Sequence, residues 1–282
     1  DSEQDSWNMC PEALEEALLY FSSLGTLDKV KAIIPVHLYG VPARMHEIMK
    51  LAAKYGISVI EDAAESLGAT LNGKHTGTFG EFGVYSFNGN KIITTSGGGA
   101  LISNDSEKIQ LARKLATQAR DDAPHYQHSM IGYNYRMSNI CAGIGRGQME
   151  VLNERIQQRR ANFERYLKIF EEIGWNAEFQ NEREGVFANR WLSAFYFDPE
   201  VFGQNFREEL RLFLETLNIE SRPLWKPMHL QPVYEGCQYF GKDNNAEKIF
   251  DFGLCLPSGS NLTEEEWNRI ETALNSFNRT NK

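Results

Sequence analysis

Lys91 lies in the run SFNGNKIITTSGGG (Ser86 to Gly99), 29 residues after Asp62, which closes the run VIED. Glycines around a lysine are poor packing partners, whereas a lysine that only meets solvent has no need of such a backbone. Its amine is suited to reversible covalent capture of an aldehyde, because a neutral amine attacks a carbonyl carbon. To do so at neutral pH it must fall from its ordinary pKa of roughly 10.4, each unit representing about 1.4 kcal/mol. An apolar pocket or a cationic neighbour has to supply that shift. Asp62, at the end of an apolar run, offers an anion that can keep a nearby ring nitrogen protonated. Two plainer readings stand beside these: a solvated lysine on a flexible loop, and a strand-end carboxylate capping a helix.

Pyridoxal 5′-phosphate (PLP) combines an aldehyde with a ring that takes up electrons when its nitrogen stays protonated. Lys91 and Asp62 together are the residue-level reason to expect it. A phosphate-binding loop is the rival reading of the glycine run. That loop puts its glycines before a lysine followed at once by Ser or Thr, whereas here Lys91 precedes the glycines and Ile92 follows it. Farther on, Arg190, Trp191, Arg222, Trp225, Lys226 and His229 offer guanidinium forks and flat rings that suit a nucleotide diphosphate. Both tryptophans also read as core of a smaller lobe. His37 is expected to pack or hydrogen-bond at a strand end.

The elements that must position these residues follow from periodicity. Val30–Leu38 and Ile57–Ile60 read as buried strands, joined by a helix from Arg44 to Tyr55 with Gly56 as its C-cap. Strand, helix, strand is the unit of a parallel sheet, whose ligands gather at the C-terminal strand ends, where Glu61 and Asp62 fall. Phe82–Phe87 and Gly99–Ser103 read as strands enclosing the Lys91 loop, and Asn104 or Asp105 caps a helix running to about Gln118. One helical pattern covers about Ser138–Ile173. Beyond Gly174 the spacing predicts a strand at Trp191–Phe197, a helix at Arg207–Leu217, a strand at Ile219–Arg222, and a last helix opened by a capping box at Thr263 and Glu266. The expected division is 1–150 for a large cofactor-binding domain and 151–282 for a linking helix and a small α/β domain.

Composition narrows the function classes. A formal charge of −9 argues against a nucleic-acid or membrane-surface binder, so a phosphorylated ligand must meet a local basic pocket. No apolar run approaches the roughly 18 to 20 residues that span a bilayer, and no charged-then-apolar leader opens the chain, which predicts a cytoplasmic location. Cys10, Cys141, Cys237 and Cys255 are too scattered for a metal knuckle or redox pair and read as reduced packing residues; no metal site is expected.

Five segments together resemble the bacterial nucleotide-sugar aminotransferases of the DegT family: VHLYG ending at Gly40, IEDAAE containing Asp62 and Glu65, SFNGNK with TTSGGG, GYNYR containing Asn134 and Arg136, and RPLWKPMH from Arg222 to His229 with LPSG at Leu256–Gly259. The nearest likeness is to enzymes making UDP-4-amino sugars of the bacillosamine type. The resemblance implies an α/β PLP-dependent transferase of fold type I, with a mainly parallel sheet in the large domain and a small C-terminal α/β domain. It implies that Lys91 forms the Schiff base and moves protons, Asp62 pairs with the pyridine nitrogen, Ser86 binds the phosphate, and Asn134 reaches the phosphate of a neighbouring subunit, giving a homodimer with shared active sites. Glu65 would lie by the cofactor, and Asn88, Arg136, Arg222, Trp225, Lys226 and His229 by the substrate. Glu65 stands where many relatives carry glutamine, Asn88 where histidine is frequent, and the glycine run lacks a common glutamate; residues beside the ring can touch the sugar.

The implied reaction is amino transfer from L-glutamate to C4 of a UDP-linked 4-keto-6-deoxy-N-acetyl sugar for surface glycan synthesis. A dTDP-linked or C3-directed reaction and a non-catalytic binding protein of the same fold are the alternatives. Because Asp1 is not methionine and no strand or glycine turn precedes the amphipathic stretch from Pro11, the large domain is expected to lack its N-terminal part.

Overall fold

In the computed structural model, which describes residues 1–280, helix α1 (Pro11–Ser23) leads into β1 (Ala32–Ile33), α2 (Met45–Tyr55) and β2 (Ser58–Asp62). Two short strands, β3 (Thr70–Leu71) and β4 (Lys74–His75), precede β5 (Phe82–Ser86) and β6 (Gly99–Ile102). The four longer-range strands form one sheet in the order β1-β2-β5-β6, with β1, β2 and β5 parallel and β6 returning antiparallel. Met45, Ile48 and Ala52 fall on one face of α2 and are buried, and Gly56 closes the helix at φ +66, as its lack of a side chain permits.

The expected strand at Val30–Leu38 is shorter than its apolar run. Pro35 has no N–H to give to a ladder, so pairing is reduced to β1 and a bridge between Val36 and Asp62. The Pro35 carbonyl still accepts from Asp62 N–H at 2.9 Å, which ties the end of β2 into the sheet.

Helix α3 (Ser106–Ala116) is capped by Asp105, whose carboxylate accepts from the amides of Glu107 and Lys108. The long helical pattern is two helices, α4 (Asn139–Glu150) and α5 (Leu152–Ile173), separated at Val151, which has φ −108 and ψ 7. Strands β7 (Val186–Phe187) and β8 (Ser193–Tyr196) and helices α6 (Pro199–Phe202) and α7 (Phe206–Thr216) follow. They lead to β9 (Arg222–Pro223), α8 (Asn245–Phe252), β10 (Gly253–Leu256) and α9 (Glu264–Thr280). The capping box at α9 is present: Thr263 Oγ1 accepts from Glu266 N–H, while Glu266 Oε2 accepts from Thr263 N–H.

Sequence periodicity misses β10, four buried residues that pair antiparallel with both β8 and β9. A core of aromatics (Phe163, Tyr166, Phe170, Phe195, Trp267) fills the C-terminal half, and another packs α1 and α2 on the sheet. Between them a third cluster joins Ile92 and Ile93 of the Lys91 loop to Trp191, Leu224 and Cys255. Cys255 is the buried cysteine; Cys10 and Cys141 are half-buried and Cys237 is exposed, so packing accounts for one of the four.

Candidate active site

Ile92 and Ile93 pull the β5–β6 loop down into the central cluster, so Lys91 is held where a loose loop would leave it in water. Its side chain is 12% exposed. The ammonium nitrogen lies 4.2 Å from the centre of the Trp191 ring and 3.8 Å from Glu65 Oε1. Burial pulls Lys91 below the usual lysine value, opposed by the negative charges of Glu65 and Asp62. The solvated-loop reading of Lys91 therefore does not describe the structure.

Asp62 ends β2, its backbone tied on both sides by Pro35 O and His37 N–H, and its Oδ1 accepts from Ala64 N–H at 3.1 Å. Three residues on, Glu65 is 5% exposed, and its Oε2 accepts from Tyr39 N–H at 2.7 Å. Burial pushes the Glu65 carboxyl up to about 7, and the nearby Asp62 charge adds to this while Tyr39 N–H and Lys91 oppose it. Ser86 closes β5 with its Oγ accepting from Asn88 N–H.

Trp191 shows that the two readings of it were never exclusive. It is 2% exposed in the core, yet one ring face meets Lys91 and its Nε1–H donates to Asn90 O at 2.9 Å. Trp225 is half exposed, packs edge-on to Trp191, and with Arg222, Asn90, Arg159 and Ser258 lines a cavity of about 470 Å³. Arg222 itself is exposed and paired with Glu220.

The rest of the basic and aromatic group disperses. Arg190 belongs to the core: its guanidinium lies 4.0 Å over the Phe163 ring, donates to Gln180 O and sits 3.7 Å from Glu182. His229 bonds Glu247 and packs on Tyr239, and Lys226 is exposed. Asn88, Asn134 and Arg136 are exposed, the last two on the segment following α3, where Asn134 bridges Thr117. His37, fully buried, accepts from Ala43 N–H at Nδ1, so its Nε2–H is the side that faces Glu61 at 3.0 Å.

Three residues of the site carry no chemical signal in the sequence. Tyr39 supplies the amide on Glu65, and its hydroxyl accepts from Trp225 N–H. Asn189 donates to the carbonyls of Glu65 and Leu67 and accepts from Trp191 N–H, fixing both sides of the Lys91 pocket. Arg159, on the long helical pattern, is buried, donates to Trp191 O, and is pushed down to about 10 by burial.

These positions fit PLP: an amine held below its ordinary value beside a flat indole, with two carboxyls at the C-terminal end of parallel strands. Among the described residues no cluster of His, Cys, Asp and Glu could hold a metal ion, and no helix is long and apolar enough to cross a membrane.

The sequence matches the DegT/DnrJ/EryC1/StrS aminotransferase family over residues 1–275. It is 50% identical to EpsN of Bacillus subtilis (strain 168), assigned as a pyridoxal phosphate-dependent aminotransferase, over 98% of this chain and 71% of that protein. It is 36% identical to GDP-perosamine synthase of Escherichia coli O157:H7, over 98% of this chain and 71% of the relative. The fold superposes on the crystal structure of a DegT DnrJ EryC1 StrS aminotransferase from Brucella abortus with a TM-score of 0.87 at 27% identity, covering 99% of this chain and 72% of that one.

Proposed function

The chain belongs to the DegT/DnrJ/EryC1/StrS aminotransferase family, with PLP as cofactor and fold type I as architecture, and from that premise we propose that Lys91 carries the cofactor in amino transfer to a nucleotide-linked keto sugar. The observation that carries this reading is the Lys91 amine itself, enclosed between the Trp191 face and the Glu65 carboxyl and tied to the end of β2 by charge. PLP supplies the aldehyde that accepts an amine and the ring that takes up electrons.

Each side chain then has one task. Lys91 would hold the cofactor and move a proton at the substrate carbon; Trp191 shields its amine from water. Asp62 keeps the ring nitrogen protonated, its orientation set by Ala64 N–H and the flanking backbone bonds. The Ser86 hydroxyl, at the end of β5, binds the phosphate. Arg222 and Trp225, at the mouth of the cavity, meet the nucleotide, with exposed Asn88 and Arg136 as further substrate contacts.

We take L-glutamate as donor and a UDP-linked 4-keto-6-deoxy-N-acetyl sugar, aminated at C4 for surface glycan synthesis, as acceptor, from the likeness of the five sequence segments to bacillosamine-type enzymes. A GDP-linked acceptor is the second reading, favoured by the 36% identity to GDP-perosamine synthase. We further propose a cytoplasmic homodimer, a large domain over 1–150, and a small one over 151–282. Tyr126, Ile131, Tyr135 and Ile140 are each between 74% and 86% exposed, a run of apolar surface around Asn134 that a second copy would cover.

The deciding assay offers UDP-, GDP- and dTDP-linked keto sugars with ¹⁵N-labelled glutamate and follows label into product by mass spectrometry. Transfer to the UDP-linked 4-keto sugar alone supports the first reading, transfer to the GDP-linked sugar alone supports the second, and no transfer to any of them overturns the acceptor class.

A further inference from the structure

Glu65 is buried opposite the amine with one oxygen committed and one not hydrogen-bonded to it. Oε2 is fixed by Tyr39 N–H at 2.7 Å, while Oε1 faces Lys91 Nζ across 3.8 Å, a gap that a small rotation of either side chain closes. The turn that fixes it is strained. Tyr39 is fully buried at φ +54, in the left-handed region that costs a non-glycine residue about 1 to 2 kcal/mol. A Cβ on the next residue, Gly40, would meet Asn189 Oδ1 at 1.8 Å, so the close approach of the turn to Asn189 excludes any side chain there. Strain persists where surrounding contacts over-determine it, and here its product is an amide aimed at Glu65.

Titratable groups face Glu65 from each neighbouring element: Lys91 from the β5–β6 loop, Asp62 from β2, Tyr39 from the turn before α2, and Cys255 from β10. Lys91 is the cation among them. A carboxylate saturated by donors would be a fixed anion, but among the described residues Glu65 has a single amide donor and an ammonium out of hydrogen-bond range.

We propose that Glu65 is the proton-holding partner of Lys91: it takes up the proton the ammonium must lose before the amine can attack, and returns it later. In that exchange an N–H bond of Lys91 breaks and an O–H bond of Glu65 forms. One proton moves, and an ion pair becomes a neutral pair, a change that a dry pocket favours. The proposal rests on the assignment of Lys91 as the cofactor lysine. Burial that brings Glu65 up to about 7 places the exchange near neutral pH.

Competitive labelling of the cofactor-free full chain with deuterated acetic anhydride tests it by reading the neutral fraction of each lysine against pH, with exposed Lys50 as internal standard. Wild-type Lys91 should become reactive in two steps, the lower near pH 7 as the pair loses its first proton. Glu65→Gln, which keeps an oxygen for Tyr39 N–H, should lose the lower step and titrate in one. A role confined to packing would leave the number of steps unchanged, so a two-step profile in the variant, or a single step in the wild type, overturns the proposal. A parallel borohydride trap with PLP locates the bound cofactor. An adduct on a residue other than Lys91 overturns the lysine assignment and this proposal with it, whereas an adduct on Lys91 with a single-step wild-type profile overturns only the role of Glu65.

Discussion

Glu61 and Glu65, four residues apart and both at least 95% buried, meet opposite electrostatic fates. Glu61 points into the sheet layer, where His37 Nε2 (3.0 Å) and the amides of Gly77 (2.7 Å), Phe79 (2.5 Å) and Gly80 (2.7 Å) converge on its two oxygens. Burial works to raise its pKa, yet these bonds more than offset it and the carboxyl stays below its usual value. Glu65 receives one amide, and burial carries it to about 7. Burial alone therefore does not tell a structural anion from a group that exchanges protons; the number of donors pointed at it does.

Substitutions can break or sharpen that contrast. On the chemical side, Lys91→Ala should abolish both turnover and borohydride-trappable capture of PLP, since among the described residues no other amine lies against Trp191 and Glu65; transamination near the wild-type rate would end the assignment. Asp62→Asn should keep capture but lower turnover by several orders of magnitude, because the ring nitrogen loses the charge that holds its proton. Absorbance titration with PLP and steady-state rates separate the two effects, and unchanged turnover would remove Asp62 from the chemistry.

On the structural side, Glu61→Gln should cost about 3 kcal/mol of folding stability, since an amide can accept from only part of the converging donors and sets its own N–H groups against the rest. Urea unfolding measures it. A loss below about 1 kcal/mol would show that the Glu61 network is not what distinguishes it from Glu65.

The positions of Lys91, in the loop between β5 and β6, and of Asp62, at the end of β2, were legible because a lysine between glycines and an acid at an apolar strand end are local features. The difference between Glu61 and Glu65 was not, because it depends on amides from the 77–80 turn and from Tyr39, brought in by tertiary folding. The parallel β1-β2 pairing and the caps at Gly56, Asp105 and Thr263 follow from short-range rules and were foreseen, whereas the place of β5 beside β2 was not. Strand β10 was not, since the four residues Gly253–Leu256, which run into LPSG, have no period of their own and become a strand by pairing with β8 and β9. Arg190 and Arg159 show the same limit: an arginine has one sequence signature whether it stacks on a buried phenylalanine or lines a cavity.

The smallest effect is the one most specific to Glu65. Its folded pKa of about 7 lies above the value of 4.5 for an unperturbed glutamic acid, so between those limits the folded chain binds more protons than the unfolded one. Stability from this group is then fully present below about pH 4.5, declines as pH rises through that window, and is lost above pH 7. Glu61, held below 4.5 in the folded state, acts in the opposite sense: its contribution is present above 4.5 and disappears as pH falls through the lowered value. Lys91, depressed from 10.5, adds a term that rises with pH in its own window up to that value. Subtracting the unfolding free energies of Glu65→Gln from those of the wild type, both free of cofactor, isolates the first term over pH 5 to 8. The difference should move against the wild type by about 2 kcal/mol across that range, somewhat less than the full shift implies at about 1.4 kcal/mol per unit. A difference that is flat with pH would mean that Glu65 is ionised throughout, and the two glutamates would then be alike after all.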